Sequence, residues 1–403
     1  MKEDWLDEQT EALLDFALKS TCSQGGFGWL DDDGAIDRKQ GRPLWITCRM
    51  THVAAIGALL GHPGSREALD HGCQALASLF HDDQYGGWYS QVNWDGTPAD
   101  SAKSAYPHAF VTLAASSALL AGADAEALFQ EALRVSTTRF WDEDDHMVVD
   151  QWDRTFNHLD PYRGANANMH TVESYLAAAD VLDLIGDGSG AEWRQRGLDI
   201  TERIMVQARD NRWRIPEHYD ARWIPRLEYN RDAPADPFRP YGATPGHNLE
   251  WARLCLTLWA SLSDPPDWLR QAAVELYDHG LTDAWAVDGH DGFVYTIDWN
   301  GTPVVHERMH WVIAEAIGAS AAIGKAHLRD TSAELDRWWV YAETYLIDHE
   351  KGSWHHEVDR FNKPSSTCWK GKPDVYHALQ ATLLPDLPLT PTIVPALYQQ
   401  LRS

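Results

Sequence analysis

Cysteine is scarce in this 403-residue chain, and so is positive charge. The five cysteines (Cys22, Cys48, Cys73, Cys255 and Cys368) are odd in number and stand singly, with no Cys-x-x-Cys pair and no zinc spacing. That pattern argues against a disulfide framework and fits free thiols in a reducing cytoplasm. Lys plus Arg number 34 against 60 Asp plus Glu, a formal charge of −26, so no nucleic acid and no anionic membrane is expected as a partner. Acidic blocks such as Asp31-Asp32-Asp33 read as solvated turns, and an anionic substrate would need local arginines. No apolar run approaches the roughly 18 residues that span a bilayer, and Met1-Lys2-Glu3-Asp4 opens no signal peptide. Neither a P-loop nor a Gly-x-Gly-x-x-Gly turn at a strand–helix junction is present, which removes the usual nucleotide cradles. No Pro/Ser-rich linker interrupts the chain, so a single domain over 1–403 is expected, although length alone would suggest roughly two or three.

Tryptophan, by contrast, is abundant. Several of the 20 stand beside Gly, Asp and His in loops, where packing alone would not need them. Flat aromatic faces suit the C–H faces of sugar rings, which favours a carbohydrate ligand. These tryptophans belong to a phrase that recurs six times: an aromatic, Gly-punctuated segment, a polar loop, then an apolar helix. The segments from Gly87-Trp88 to Gly96-Thr97-Pro98 and from Gly292-Phe293 to Gly301-Thr302-Pro303 match without a gap. Strongly apolar helices are predicted over 46–60, 106–120, 169–184, 246–262, 310–323 and 375–384, and mixed, amphipathic ones over 5–19, 65–80, 124–140, 192–208, 266–281 and 333–347. Alternation of buried and half-buried helices predicts an all-α (α/α)6 barrel of six inner and six outer helices, closed at its far end by helix turns. The aromatic–polar alternation before each inner helix predicts short β-hairpins at the mouth.

In such a ring the starts of the inner helices converge. In order they carry Arg49, Tyr106, His170, His247, Trp311 and His377. Unpaired N–H groups at these helix ends favour negative charge developing in a bound molecule. A lone histidine on an apolar helix is ordinarily a hydrogen-bonded structural residue, and His52, His108 and His310 are read so. His170, His247 and His377 differ because all three recur at the corresponding place. Glu250 lies at i+3 from His247, on the same helix face, where a carboxylate would fix the imidazole tautomer for proton transfer. The same spacing could hold a metal, with His170 and His377 as further ligands. Glu315 can accept from hydroxyl groups or form an ion pair with Arg308.

The phrases Asn166-Ala167-Asn168-Met169-His170, Pro245-Gly246-His247-Asn248-Leu249-Glu250-Trp251, Trp311-Val312-Ile313-Ala314-Glu315 and Gly371-Lys372-Pro373-Asp374-Val375-Tyr376-His377 resemble the N-acylglucosamine 2-epimerase superfamily, and within it the mannose and sulfoquinovose aldose–ketose isomerases. The resemblance runs from about Trp29 to Leu384. It implies the (α/α)6 barrel, no metal, no other cofactor, and a monosaccharide substrate. It also implies that His247 and His377 move a sugar proton while Arg49, Tyr106, Asn166, His170, Glu250, Trp311 and Glu315 contact or orient the sugar. Arg239, in the loop before Gly246, is placed with them. A homo-oligomer is compatible with this reading, although no heptad pattern specifies one.

The chemistry expected is an aldose–ketose interconversion, with mannose and fructose ranked first. A base removes the proton at C2 of the open-chain aldose, a cis-enediol forms, and the proton returns to C1. His377 is assigned that shuttle, with His247, oriented by Glu250, opening the ring; the two roles could be exchanged. Return of the proton to the opposite face of C2 would give a 2-epimerase instead. Sulfoquinovose isomerisation stays open, as do a glycoside hydrolase built on Glu250 and Glu315 and a non-catalytic carbohydrate-binding protein.

Overall fold

The structure, a computed structural model, describes residues 3–402. Its helices in chain order are α1 (Glu3–Leu18), α2 (Leu44–Leu60), α3 (Ser65–Gln74), α4 (Ala105–Leu120), α5 (Glu126–Val135), α6 (Ala165–Ile185), α7 (Gly190–Asp210), α8 (Pro245–Ser261), α9 (Trp268–Ala284), α10 (His310–Lys325), α11 (Ser332–Tyr341), α12 (Tyr376–Leu383) and α13 (Ile393–Gln400). Two kinds alternate for a simple reason of composition. Helix α4 has no polar face, and its Ala114, Ala115 and Ala118 are fully buried, so it must be surrounded by other helices. Helix α5 buries only Leu128, Phe129, Ala132, Leu133 and Val135, one stripe, and lies against α4 from outside. Contacts between the even-numbered helices run α2–α4, α4–α6, α6–α8, α8–α10, α10–α12 and α12–α2, so each touches two others in a closed cycle.

Short antiparallel pairs stitch each repeat to the next. Arg42–Pro43, just before α2, pairs with Gln91–Val92, and Lys103–Ser104, before α4, pairs with Gln151–Trp152. Arg163–Gly164 pairs with His218–Tyr219, Ala243 bridges Ile297, and Arg308–Met309 pairs with Glu357–Val358. The last stitch returns to the first repeat, where Lys372 N donates to Leu30 O at 2.9 Å. The predicted hairpins are present among these: Gln91–Val92 also pairs with Pro98–Asp100, and Thr296–Ile297 with Pro303–Val305.

A buried cation sits just before most of the inner helices. Lys103 Nζ meets Asp82 at 3.1 Å with neither side chain exposed, Arg308 is clamped by Asp288 at 2.6 Å, and Lys372 meets Asp348 at 2.6 Å. Arg42 reaches the carbonyls of Gln24, Gly25 and Asn93 instead. A buried charge is stable only when paired or fully hydrogen-bonded, so these residues hold the loops over the helix starts in one arrangement.

Three details differ from the periodicity. The outer helices predicted over 65–80, 124–140 and 333–347 end in π turns, Ala75–Leu79, Ser136–Phe140 and Ala342–Leu346. The wider turn brings Phe80, Phe140 and Leu346 into the core. The far end is not closed by helix turns alone, because α13 packs across α2, α4 and α6. Its start is tied down by Asp180 of α6, which accepts from Thr392 N at 2.7 Å and Thr392 Oγ1 at 2.9 Å.

Candidate active site

At the mouth end, a hollow of about 670 Å³, counting the open space at its entrance, is lined by Arg49, Tyr106, Asn166, His170, His247, Glu250, Trp311 and His377 among others. Six elements that are distant in sequence therefore supply one cavity of a size suited to a monosaccharide. Two of the expected residues lie elsewhere. Arg239 lines the neighbouring outer hollow, stacked 3.9 Å over the Tyr162 ring and 3.4 Å from buried Asp150. Glu315 stands behind His377 and does not line the cavity. Arg49 and His170 belong to the second turns of α2 and α6, because those helices begin earlier than periodicity suggested, at Leu44 and Ala165.

The two histidines are built alike. His377 Nδ1 lies 3.0 Å from Glu315 Oε1, and His247 Nδ1 lies 2.9 Å from Glu217 Oε1. A carboxylate accepts, so Nδ1 carries the hydrogen in both rings and the lone pair of the neutral ring falls on Nε2. Around His377 a second donor agrees, since Arg49 Nη2, which can only donate, lies 3.5 Å from Nε2. Burial, with the charge of Arg49 beside it, pushes the His377 imidazole well below its ordinary value, so it is a free base at neutral pH. Both rings pack on Trp311, with centroid distances of 5.3 Å for His247 and 5.9 Å for His377. Gly246 makes room for that indole: a Cβ there would stand 2.6 Å from the Trp311 ring.

The expected partnership of Glu250 with His247 is not what forms. Glu250 sits one turn deeper in α8, where Oε1 is 3.7 Å from His170 Nδ1 and 3.8 Å from Arg253 Nη2. Nor does Glu315 pair with Arg308, which Asp288 holds; its second oxygen accepts from Arg253 Nε at 2.9 Å. Arg253 thus faces three buried carboxylates, those of Glu315, Glu250 and Glu173, the last at 3.8 Å. One guanidinium cannot balance three negative charges, and the carboxylates respond differently. Burial would raise Glu173, but the hydrogen bond from His170 at 3.2 Å and the charge of Arg253 outweigh it and hold it ionised. Burial, then the charges of Glu315 and Glu173, push Glu250 well above the usual range, so its carboxyl is the protonated one.

Among the described residues, His170, Glu173 and Glu250 each place one ligand atom within 4.8 Å of the others, the grouping that could hold a metal ion. The fit is poor, because Arg253 already supplies a positive charge 3.8 Å from both carboxylates. The alternative set built on His247 and Glu250 does not assemble, since those two side chains diverge.

Residues absent from the reading of the sequence complete the site. Asp374 Oδ2 holds Arg49 Nη1 at 3.3 Å while its Oδ1 caps the Tyr376 N–H at 2.9 Å. The Arg49 guanidinium also lies 4.5 Å over Phe110 and 4.7 Å over Tyr376, and donates to Tyr106 Oη at 3.1 Å. Phe238, Trp45 and Trp369 wall the entrance, joined by edge contacts of 6.1 and 5.2 Å. Asp374 was within reach, for it stands in the phrase that ends at His377. Glu173 repeats from His170 the same i+3 spacing that drew attention to Glu250. Glu217 carries no such signal. Of the histidines read as structural, His52 bonds Ser117 at 2.7 Å and His108 bonds Ser104 O at 2.6 Å, whereas His310 lines the cavity.

A closed cycle of paired helices with histidine–carboxylate pairs at one end places the chain in the (α/α)6-barrel class. Within that class the profile of the N-acylglucosamine 2-epimerase family matches residues 25–381, and the chain belongs to this family. It is 46% identical to a D-mannose isomerase of Thermobifida fusca over 98% of its own length and 96% of the relative's. It is 43% identical to a D-mannose isomerase of Pseudomonas cannabina pv. alisalensis, over 98% of this chain and 94% of that one. A crystal structure of a D-mannose isomerase superposes with a TM-score of 0.86 at 26% identity, covering 94% of this chain and 97% of that chain. Among the described residues, no helix is long and apolar enough to cross a membrane.

Proposed function

We propose that the chain is an aldose–ketose isomerase that interconverts D-mannose and D-fructose, working as a single (α/α)6-barrel domain of six inner and six outer helices with α13 across its base. The observation that carries the chemistry is the pair of imidazoles on one indole, each with its Nδ1–H tied to a carboxylate and its Nε2 lone pair in the cavity, that of His377 beside the Arg49 guanidinium at 3.5 Å. The charge pattern supports a neutral sugar. Asp374 offsets the charge of Arg49, and Asp150 that of Arg239, so the site holds no uncompensated arginine for a permanently charged sulfonate.

The pyranose opens first, with a proton delivered to the ring oxygen and one taken from O1, steps assigned to His247 with the protonated Glu250 as a hydrogen-bond donor. His377 Nε2 then takes the C2 proton. The C–H pair becomes the C1=C2 double bond, and O1 takes back from His247 the proton it gave up on ring opening, which gives the cis-enediol. Arg49 stabilises the oxygens as negative charge develops there. O2 gives its proton to His247 as C2=O forms, and His377 delivers to C1 the proton it holds, which exchanges with solvent while the enediol is bound. Atoms and electrons balance with no oxidant or reductant.

Incubating the protein with mannose in D₂O tests this directly by NMR of the product. Fructose carrying deuterium at C1 is the expected result. Glucose as the sole product would overturn isomerisation in favour of 2-epimerisation, and no exchange on any sugar would point to a binding protein.

A further inference from the structure

His310 is the first residue of α10, is 4% exposed, and lines the same cavity as His377, with ring centroids 6.3 Å apart. Its Nδ1 lies 3.2 Å from the backbone carbonyl of His356. A carbonyl can only accept, so that nitrogen carries the hydrogen, and in the neutral ring Nε2 is a bare lone pair. The ring is stacked on His356, at 3.8 Å between centroids and 24° between planes, which fixes its plane while the Nδ1–H bond fixes its edge. His356 is itself pinned, with Nε2 at 2.9 Å from Asp374 O. His310 Nε2 is buried with no hydrogen-bond partner. A buried acceptor in that state costs free energy unless something in the cavity donates to it.

We infer that His310 Nε2 accepts a hydrogen bond from a hydroxyl of the bound sugar, and that His310 is a specificity-determining residue of the site. The inference rests on the sugar-isomerase reading given above. In that reading C1, C2 and their oxygens face His377 and Arg49, which leaves for His310 a hydroxyl further along the chain, at C3, C4 or C6. Burial and the neighbouring His356 ring keep His310 neutral at working pH, so the acceptor is not lost to protonation. The stacked pair gives the acceptor a fixed direction, which lets it discriminate between sugars that differ in one hydroxyl.

The experiment compares kcat/KM for mannose with those for its 3-, 4- and 6-deoxy analogues, in the wild type and in His310→Phe, with His310→Gln as the second variant. The ratio between two sugars measured in one enzyme does not depend on the fraction that is folded. In the wild type one analogue should fall by about 10- to 100-fold, the cost of leaving a buried acceptor unpaired. In His310→Phe that analogue and mannose should agree within about threefold, while the penalties for the other two persist. Gln, whose amide oxygen can reach the place of Nε2, should restore part of the lost discrimination. If all three penalties are the same in His310→Phe and in the wild type, the assignment is wrong and the Nε2 partner is a water. A wild type inert toward mannose would overturn the isomerase reading and this one with it, whereas an active wild type without the coupling overturns this one alone.

Discussion

The two histidine–glutamate pairs share a design and differ in what stands behind it. Glu315, behind His377, is gripped by Arg253 in the barrel core, and the His377 side chain is 6% exposed. Glu217, behind His247, comes from the loop before the His218–Tyr219 strand, has no arginine paired with it among the described residues, and leaves His247 at 13% exposure. A base that must take a proton from carbon needs a fixed lone pair that stays unprotonated at working pH. A group that passes protons between oxygens gains from contact with the entrance. The deeper pair fits the first task and the shallower pair the second.

The strongest way to break this comparison is to remove each ring in turn. His377→Ala should lower kcat by about 10³- to 10⁴-fold and abolish deuterium incorporation, while His247→Ala should cost nearer 10². Equal losses in both, measured by steady-state turnover and NMR exchange, would erase the division of labour. Next in size is the support behind each pair. Arg253→Met leaves buried carboxylates without their cation and should destabilise the fold by roughly 3–5 kcal/mol in urea unfolding, whereas Glu217→Gln should cost about 1–2 kcal/mol. Gly246→Ala should follow, at roughly 1–3 kcal/mol for a methyl forced against Trp311. Because that indole carries both rings, this variant should depress the activity that depends on His377 and on His247 together.

Taken one group at a time and one pH unit at a time, the effect of pH is the smallest. Burial lowers the folded values of His52 to about 4 and of His108 and His356 to about 3, against an unfolded value near 6.5. Below about 6.5 the unfolded chain binds protons that the folded chain does not, so stability should fall as the pH drops, by about 1.4 kcal/mol per unit for each ring. Asp150, raised to about 6 by burial, opposes this with one group's slope between about 4 and 6. Urea midpoints from pH 7 to 4 check the net decline. In His247→Ala, which removes the other proton-transfer ring, the acid limb of kcat/KM should lie below 6.5, because burial keeps His377 a free base there; a limb at or above 6.5 in that variant would remove His377 as the base.

How far the site could be read beforehand follows from what repetition records. A repeat shows which residue occupies each helix start, so the ring from Arg49 to His377 was visible. It does not show where a side chain turns once neighbours press on it. His170–Glu173 and His247–Glu250 have identical spacing, yet only the first pair bonds internally, because Arg253 and His170 draw Glu250 inward while the loop at Glu217 meets His247. Arg308 looked available to Glu315 because the series of buried cations to which it belongs, with Lys103 and Lys372, is evident only once their aspartates are seen in space. Helix α13 is eight residues long, carries Pro395 in its first turn, and lies outside the sixfold pattern, so no periodicity announced it.

The stitch from Lys372 back to Leu30 carries a consequence for how the protein comes to life. His377 rides on the final inner helix, and that helix is also the one that shuts the circle against α2. Without α12 the cycle of inner helices would stand open between α10 and α2, and the ring proposed to carry the proton would be missing. Closure of the circle and completion of the proposed site thus depend on the same helix.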